Sequence, residues 1–198
     1  MTRFMKSRRR GSRRPGGFTL LELMITLAVA AIALALAIPT FDDINQKRQT
    51  TSQAEELSAF LSHAMSEAVK SNQSVSVSLV HNSSTDWCIG AHEGAAACDC
   101  EQTDTTAADY CSIEGVADMM DSSAHPKAQM VSHSADTTFA FDPIRGILET
   151  ADLGSDHNFK LQSDNGNYAL QVEVGNTGRI KVCNPDSSRK VPGFDSCT

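Results

Sequence analysis

Residues 16–39 read GGFTLLELMITLAVAAIALALAIP, and this stretch decides how the rest of the chain is interpreted. Residues 18–38 are apolar except for Thr19, Glu22 and Thr26. A helix needs about 20 mostly apolar residues to cross a bilayer. Because the run is apolar on every side, we expect residues 18–38 to lie in a membrane or in a bundle of helices.

A basic segment precedes this run. Residues 1–17 hold seven of the 17 Lys and Arg residues and no acid, whereas the rest of the chain holds all 24 acids. The basic flank of a membrane span stays cytoplasmic, so the chain beyond Pro39 is expected to face the periplasm. We therefore predict a leader at residues 1–17 and an inner-membrane span at residues 18–38. The basic residues of the leader are Arg3, Lys6, Arg8, Arg9, Arg10, Arg13 and Arg14.

Glu22 is the unusual residue of the apolar run. A charged side chain inside a membrane helix costs about 2.5–3.5 kcal/mol on insertion scales, and such groups are normally paired. A new amino terminus at Phe18 would supply a positive charge at the same depth. Two alternatives remain open: a helix-end carboxylate that reaches the interface, and an ordinary signal peptide cut near Ala35 and Ala37.

Residues 16–24 (GGFTLLELM) resemble the signal of type IV prepilins and type II secretion pseudopilins. The resemblance implies that a prepilin peptidase cuts after Gly17 and N-methylates Phe18. It also implies that Glu22 neutralises the amine of a neighbouring subunit during assembly. Further implied partners are other major and minor pilins or pseudopilins and an inner-membrane assembly platform.

The helix is expected to continue beyond the apolar run. Pro39 ends that run, and a proline inside a helix removes a hydrogen bond and kinks it. Apolar residues then recur at spacings of three and four, which predicts an amphipathic helix. We predict one kinked helix over residues 18–71, whose second half packs on a globular head. The apolar positions are Leu57, Leu61, Ala64, Met65 and Ala68.

The remaining residues, 72–198, predict a β-rich periplasmic head. Several segments alternate polar and apolar residues, as half-buried strands do, and Asn- and Gly-rich turns separate them. The predicted class is α+β: a long helix packed on a mainly antiparallel sheet. The predicted strands are residues 74–80, 137–141, 159–162, 168–174 and 179–183.

Six cysteines follow the membrane segment and indicate disulfides formed in an oxidising compartment. We expect Cys183 and Cys197 to close the C-terminal tail. Residues 81–136 show weak periodicity and are interpreted as an insertion on one edge of the sheet, of unassigned role. Four cysteines tie this insertion, and their three connectivities stay open. They are Cys88, Cys98, Cys100 and Cys111.

Three further segments resemble minor pilins and pseudopilins of the GspH/FimT family: residues 52–73, residues 139–143 with Gly146, and residues 178–181. The resemblance implies a structural subunit at or near the tip of a type IV pilus or type II secretion pseudopilus, which aids the start of assembly. The sequence does not separate these two filaments.

DNA reception is the alternative function. Some relatives in this family bind DNA through a G-R-x-R hairpin and a basic tail, so the resemblance nominates Arg179, Lys181, Arg189 and Lys190. Phosphate binding needs such clustered cations. Against it, the chain beyond Pro39 holds 23 acids and ten bases, a field that repels DNA.

No catalytic motif supports an enzyme, and we predict no cofactor. The CxC spacing of Cys98 and Cys100 is poor for a metal site, so none is predicted. The six histidines stand in unrelated contexts and are interpreted as mostly exposed polar residues. They are His63, His81, His92, His125, His133 and His157.

Overall fold

The computed structural model describes residues 17–135, 137–149 and 157–197 of the chain. The predicted leader therefore lies outside the described residues except for Gly17. Side chains of residues 36–40 also lie outside them, and this range includes Pro39, where a kink is predicted. The chain divides into two compact units, residues 1–41 and residues 42–198.

One long helix dominates the first part of the chain. This helix, α1, spans Leu20–Ser71 and contains 52 residues, which confirms the predicted long helix. In the second unit its buried stripe recurs every three or four residues, the period of a helix that covers a core. The fully buried apolar residues of the stripe are Ala54, Leu57, Leu61, Ala64 and Ala68.

The head contains two four-stranded antiparallel sheets. The first sheet has the order β5-β2-β1-β7. Its strands are β1 (Val75–Ser83), β2 (Asp86–Glu93), β5 (Met119–Asp121) and β7 (Thr138–Phe141). The second sheet has the order β10-β9-β8-β6. Its strands are β6 (Ala128–His133), β8 (His157–Ser163), β9 (Ala169–Val174) and β10 (Ile180–Cys183).

Two smaller elements complete the head. A two-stranded ribbon consists of β3 (Ser112–Ile113) and β4 (Val116–Ala117). A 3₁₀ turn follows at Ser122–Ala124. The stripe of α1 and the inner faces of both sheets form one apolar core, so the helix and the sheets stabilise each other. Core residues from the sheets include Val77, Ile89, Phe141, Leu161 and Val172.

The predicted class, a long helix packed on antiparallel strands, is confirmed, and two features of the head differ from the details of the prediction. The strands form two sheets and not one, because β6 pairs with β8 while β1 pairs with β2 and β7. Residues 81–136 contain strands that were not predicted: β2 and β5 extend the first sheet beyond β1, and β6 forms an edge of the second sheet. Five consecutive residues of β2, 87–91, are buried, and a strand buried on both faces shows no alternation in its sequence.

The interpretation of the histidines also needs correction. His157 is fully buried, and its ring stacks on Phe139 with centroids 4.3 Å apart. His81, His92, His125 and His133 are partly buried, which leaves His63 as the exposed one. An aromatic partner and a sheet face make burial of a histidine favourable, and neither is visible in the local sequence.

Candidate assembly surfaces

The first turn of α1 is capped by Thr19, which binds the backbone of Glu22. Thr19 Oγ1 accepts a hydrogen bond from the backbone N–H of Glu22 at 3.1 Å. Thr19-Leu20-Leu21-Glu22 has the Thr-x-x-Glu spacing of a capping box, and an acid in the first turn suits the helix dipole. Sequence reasoning missed this cap, although the spacing was visible. Thr19 therefore has a local role in starting the helix.

The side chain of Glu22 is not used by that cap. The hydrogen bond comes from the backbone nitrogen. Within residues 17–135, 137–149 and 157–197, no hydrogen bond or ion pair engages the Glu22 carboxylate. The carboxylate is thus available to a partner outside the described residues.

The apolar side chains that follow are exposed all round the helix. Ten large apolar residues between Phe18 and Leu34 are 55–81% exposed. The hydroxyl of Thr26 donates a hydrogen bond to the backbone oxygen of Leu23 at 2.9 Å. An apolar surface of this extent marks an interaction site. Of the residues that the structure describes, none belongs to a helix long and apolar enough to cross a membrane.

At the start of the second unit, a group of polar side chains fastens α1 to the head. Asp42 binds Lys127 Nζ at 2.5 Å and Gln46 Nε2 at 2.8 Å. Gln46 Oε1 accepts a hydrogen bond from the backbone of the β8–β9 turn at 2.7 Å. Asp43 accepts hydrogen bonds from three side chains of that turn: Tyr168 Oη at 2.6 Å, Asn165 Nδ2 at 3.2 Å and Asn167 Nδ2 at 3.3 Å. We call these residues the polar clasp.

The hydrogen bonds of the polar clasp favour the ionised forms of Asp42 and Asp43. The hydroxyl of Tyr168 and then the amide of Asn167 hold the pKa of Asp43 below its ordinary value. The Lys127 ammonium and the Gln46 amide do the same for the pKa of Asp42. Hydrogen bonds to the ionised form favour that form. The clasp is therefore formed at neutral pH and weakens in acid.

Two disulfides join the loop that follows β2. Of the three connectivities that the sequence left open, the structure contains Cys88–Cys100 and Cys98–Cys111. Gly90 of β2 makes room for them, because a Cβ there would lie 2.3 Å from the sulfur of Cys111. Residues 94–118, which we call the acidic lobe, hold six carboxylates and no Lys or Arg. The lobe is thus acidic and pinned to the sheet.

The acidic lobe also contacts α1. His63 Nδ1 lies 3.4 Å from Asp118 Oδ2, and Lys70 Nζ lies 3.5 Å from Glu114 Oε1. Burial raises the pKa of Asp118, while the nearby His63 opposes that shift. The backbone N–H of Glu114 binds Glu93 Oε1 at 2.9 Å. These contacts hold the tip of the β3–β4 ribbon against the C-terminal half of the helix.

Two turns at the other side of the head meet through glycines. Gly178, in the β9–β10 turn, has φ +75°, and a Cβ there would lie 2.0 Å from the backbone oxygen of Gly146. Arg145 precedes Gly146 in the chain, and Arg179 follows Gly178. Both arginines line a groove of about 520 Å³ with Val69 of α1. Sequence reasoning identified both turns but did not join them, because their contact is a long-range one.

The other residues nominated for DNA binding make separate contacts. Lys181 Nζ donates to the backbone oxygen of Ser196 at 3.5 Å. Arg189 Nη1 lies 3.5 Å from Asp186. Lys190 is exposed. Arg179 thus shares a groove with Arg145, which the sequence did not nominate and which lies 3.7 Å from Asp142.

The C-terminal tail is closed by a disulfide between Cys183 and Cys197, the pairing that we expected. Buried Asn184 organises the tail by donating to the backbone oxygens of Val191 and Phe194 at 3.1 and 2.6 Å. Its Oδ1 accepts from Val191 N at 2.7 Å. The carboxylate of Glu173 lies near the two sulfurs, but these sulfurs are bonded to each other and not available as thiolate ligands.

Comparison with known proteins assigns the family. The family model described as type II transport protein GspH matches residues 53–178. The chain belongs to the GspH family. The match includes the head part of α1, the acidic lobe and both glycine turns, and it confirms the resemblance inferred from the sequence. A second model, the prokaryotic N-terminal methylation motif, matches residues 12–38. The GspH family is one of pilin-like structural subunits and not of enzymes.

Individual relatives of this GspH-family chain match short parts of it. A fimbrial protein of Pseudomonas aeruginosa is 40% identical over 60 residues, which is 30% of this chain and 39% of the relative. The type IV major alpha-pilin of Moraxella bovis is 49% identical over 43 residues, 22% of this chain and 27% of the relative. The chain thus spans about two fifths or less of these relatives.

Among solved structures, the type IV minor pilin FimU of Pseudomonas aeruginosa is similar to this GspH-family chain. The TM-score is 0.49 and the sequence identity 19%, over 76% of this chain and 98% of FimU.

Proposed function

We propose that this GspH-family chain is a minor pilin or pseudopilin that is processed after Gly17 and assembles through residues 18–38. The observation that carries the proposal is the pairing of two features in one segment. The apolar side chains between Phe18 and Leu34 are exposed on all sides, and the Glu22 carboxylate has no partner among the described residues. The match of residues 12–38 to the methylation motif supports the same assignment.

The chemistry of assembly follows from this arrangement. A prepilin peptidase hydrolyses the bond after Gly17, which frees the amine of Phe18, and a methyl group is then transferred to that nitrogen. The ammonium of Phe18 in one subunit pairs with the Glu22 carboxylate of its neighbour. A buried charge needs such a partner, since an unpaired carboxylate in an apolar bundle is costly.

The location follows from the same features. The span at residues 18–38 anchors the unassembled subunit in the inner membrane, with the head in the periplasm. Three disulfides in the head suit that oxidising compartment. The assembly platform then extracts the subunit into a pilus or pseudopilus, at or near its tip, where it aids the start of assembly.

Mass spectrometry of the chain from filaments or inner membranes tests the proposal. The expected N-terminal peptide begins at Phe18 and carries one methyl group on its nitrogen. As a control, Gly17→Trp places a bulky side chain before the cut and should leave the leader attached. A mature N-terminus near Ala37 would instead indicate an ordinary secreted protein and contradict the proposal.

DNA reception is a second candidate, favoured by one observation: Arg145 and Arg179 line the same groove. Guanidinium groups can bind phosphate oxygens, and Arg145 would exchange its contact with Asp142, 3.7 Å away, for the phosphate. A gel-shift assay tests it, with binding that weakens steeply with salt and disappears in Arg179→Ala. Lys160→Ala is the matched control, because Lys160 is already paired with Asp186 at 2.9 Å. Absence of binding at low salt would contradict this candidate.

A further inference from the structure

Two histidines that are far apart in the sequence lie side by side in the head. His81 belongs to β1 of the first sheet, and His133 is the last residue of β6 in the second sheet. The centroids of their rings are 4.7 Å apart, and the ring planes are tilted by 56°. Both side chains are partly buried and partly open to solvent. The ring pair is therefore a contact between the two sheets that a solute can reach.

Backbone carbonyls fix which nitrogen of each ring carries the proton. His81 Nε2 lies 3.1 Å from the backbone oxygen of Met130, and His133 Nδ1 lies 2.7 Å from the backbone oxygen of Ser134. A carbonyl oxygen only accepts, so the ring nitrogen is the donor in both hydrogen bonds. In a neutral imidazole the other nitrogen then carries the lone pair. The lone pairs are thus on His81 Nδ1 and His133 Nε2.

Neither of these lone pairs is used within the head. Among the residues that the structure describes, no hydrogen bond or ion pair engages His81 Nδ1 or His133 Nε2. Two other histidines differ in this respect, because they lie against carboxylates. His63 Nδ1 is 3.4 Å from Asp118, and His125 Nε2 is 2.8 Å from Glu56. His81 and His133 instead offer two unengaged lone pairs on adjacent rings, which is the donor set of a metal ligand pair.

The spacing of the two rings fits a shared metal ion. An imidazole nitrogen binds Zn²⁺ at about 2.0–2.1 Å, which places the centre of each ring about 3.2 Å from the ion. Two such rings at a tetrahedral angle have centres about 5 Å apart. The observed 4.7 Å is close to this separation. The hydrogen bonds to the carbonyl oxygens also fit, since a metal-bound histidine almost always donates its other N–H to such a group, which orients the ring.

We propose that His81 and His133 form a binding site for one divalent transition-metal ion of the class that prefers imidazole, such as Zn²⁺ or Cu²⁺. Water completes the coordination, because both rings are partly open to solvent. The two ligands come from different sheets, so the ion links β1 to β6 and stabilises the folded head. The inference is independent of the proposed function, since it uses no residue of the segment 18–38.

Calorimetric titration of the metal-free, detergent-solubilised full chain with Zn²⁺ alone tests the site. The chain carries no polyhistidine tag, so the added ion meets only its own ligands. We expect saturable binding of one Zn²⁺ per chain and a higher Tm when Zn²⁺ is present.

Two variants remove the ligands and keep the hydrogen bonds. His81→Gln places an amide N–H where Nε2 donates to Met130, and His133→Asn does the same for Nδ1 and Ser134. Each variant should weaken Zn²⁺ binding at least about tenfold and abolish the rise in Tm, while its Tm without metal stays close to that of the wild type. His125→Gln is the matched control, because that ring lies against Glu56. It should leave the affinity and the rise in Tm unchanged.

A spectroscopic measurement on the wild-type chain does not depend on how the variants fold. Electron spin echo spectroscopy with one equivalent of Cu²⁺ should show two coupled imidazole rings. Absence of saturable Zn²⁺ binding to the wild type would overturn the inference. Unchanged binding in both His81→Gln and His133→Asn, or a Cu²⁺ spectrum without two imidazole rings, would also overturn it.

Discussion

Replacing Gly178 with alanine tests how the two glycine turns hold the head together. Gly178 has φ +75°, and an added Cβ would lie 2.0 Å from the backbone oxygen of Gly146. The obstacle is backbone and not the end of a flexible side chain, so one of the turns must move. Because Arg145 and Arg179 flank the two glycines, the shift would also change the groove that they line.

The expected destabilisation has two parts. The left-handed backbone costs a non-glycine residue about 1–2 kcal/mol. Forcing an extra atom into a packed site typically costs about 1–3 kcal/mol. The lower entropy of the unfolded alanine chain returns about 0.4–1 kcal/mol. We therefore expect Gly178→Ala to lower the free energy of unfolding by about 2–4 kcal/mol, or Tm by roughly 5–15 °C for a chain of this size.

Thermal unfolding of the detergent-solubilised full chain, followed by circular dichroism, measures this shift. Substitutions at two other glycines separate the cost of backbone strain from the cost of the close contact. Gly115 has φ +74° with nothing within 4 Å of an added Cβ, so Gly115→Ala should show the backbone part alone. Gly175 lacks a positive φ, and an added Cβ would be at 3.8 Å from its nearest neighbour, so Gly175→Ala should be nearly neutral.

The order of stability of the three variants tests whether the two turns are in close contact. Gly178→Ala must be the least stable, followed by Gly115→Ala and then Gly175→Ala. Equal effects of Gly178→Ala and Gly115→Ala would refute the close contact between the two turns, since backbone strain alone would then account for both.

Three further predictions concern the core, the polar clasp and the tail. Leu61 is fully buried in the stripe of α1, so Leu61→Ala should lower the free energy of unfolding by about 2–5 kcal/mol in denaturant titration. The hydrogen bond from Tyr168 lowers the pKa of Asp43 in the folded state, so the clasp stabilises above the ordinary pKa of 3.8. This stability is lost as the pH falls through the folded pKa, and a stability profile of Asp43→Asn should be flatter in acid than that of the wild type. Removal of the disulfide by Cys183→Ser with Cys197→Ser should lower the free energy of unfolding by about 2–5 kcal/mol in denaturant titration. An unchanged free energy of unfolding in Leu61→Ala or in the disulfide variant, or an acid profile of Asp43→Asn as steep as that of the wild type, would contradict the respective prediction.

The helix and most strands could be predicted because their signals are local. The apolar stripe at Leu57, Leu61 and Ala64 lies within one element, and its period identifies a helix without knowledge of its partner. The alternation in β8 likewise reports one buried face, which is visible within a few residues. The alternation of Val and Ser in β1 also predicts a strand, and the structure buries residues 75–79 on both faces.

The layout of the two sheets could not be predicted in this way. Trp87 to Ala91 of β2 are buried on both faces, so the strand lacks alternation and resembles a loop with small residues. The disulfide connectivity depends on Gly90, which lets the cysteines lie over the sheet. That contact arises only once β2 is placed between its neighbours.

The residues of the candidate site also differ in whether their signals are local or long-range. Glu22 and Phe18 were identified from a contiguous motif, and the Thr19 cap was equally local but overlooked. The polar clasp joins Asp43 to residues more than 120 positions away, so no local sequence pattern predicts it. The groove that Arg145 and Arg179 share likewise depends on a contact between turns that are distant in the sequence.

Incorporation of Glu22→Gln into filaments tests the central claim most directly. Glutamine keeps the size and the capping-box geometry of the residue but removes its charge. The matched control is Thr19→Ala, which removes the cap, worth about 1 kcal/mol, and keeps the charge. The account predicts that Glu22→Gln reduces the amount of the chain in sheared filaments at least about tenfold, because the neighbour's amine loses its partner, while Thr19→Ala incorporates nearly normally. Normal incorporation of Glu22→Gln would contradict the account, because the charge of Glu22 would then be dispensable for assembly.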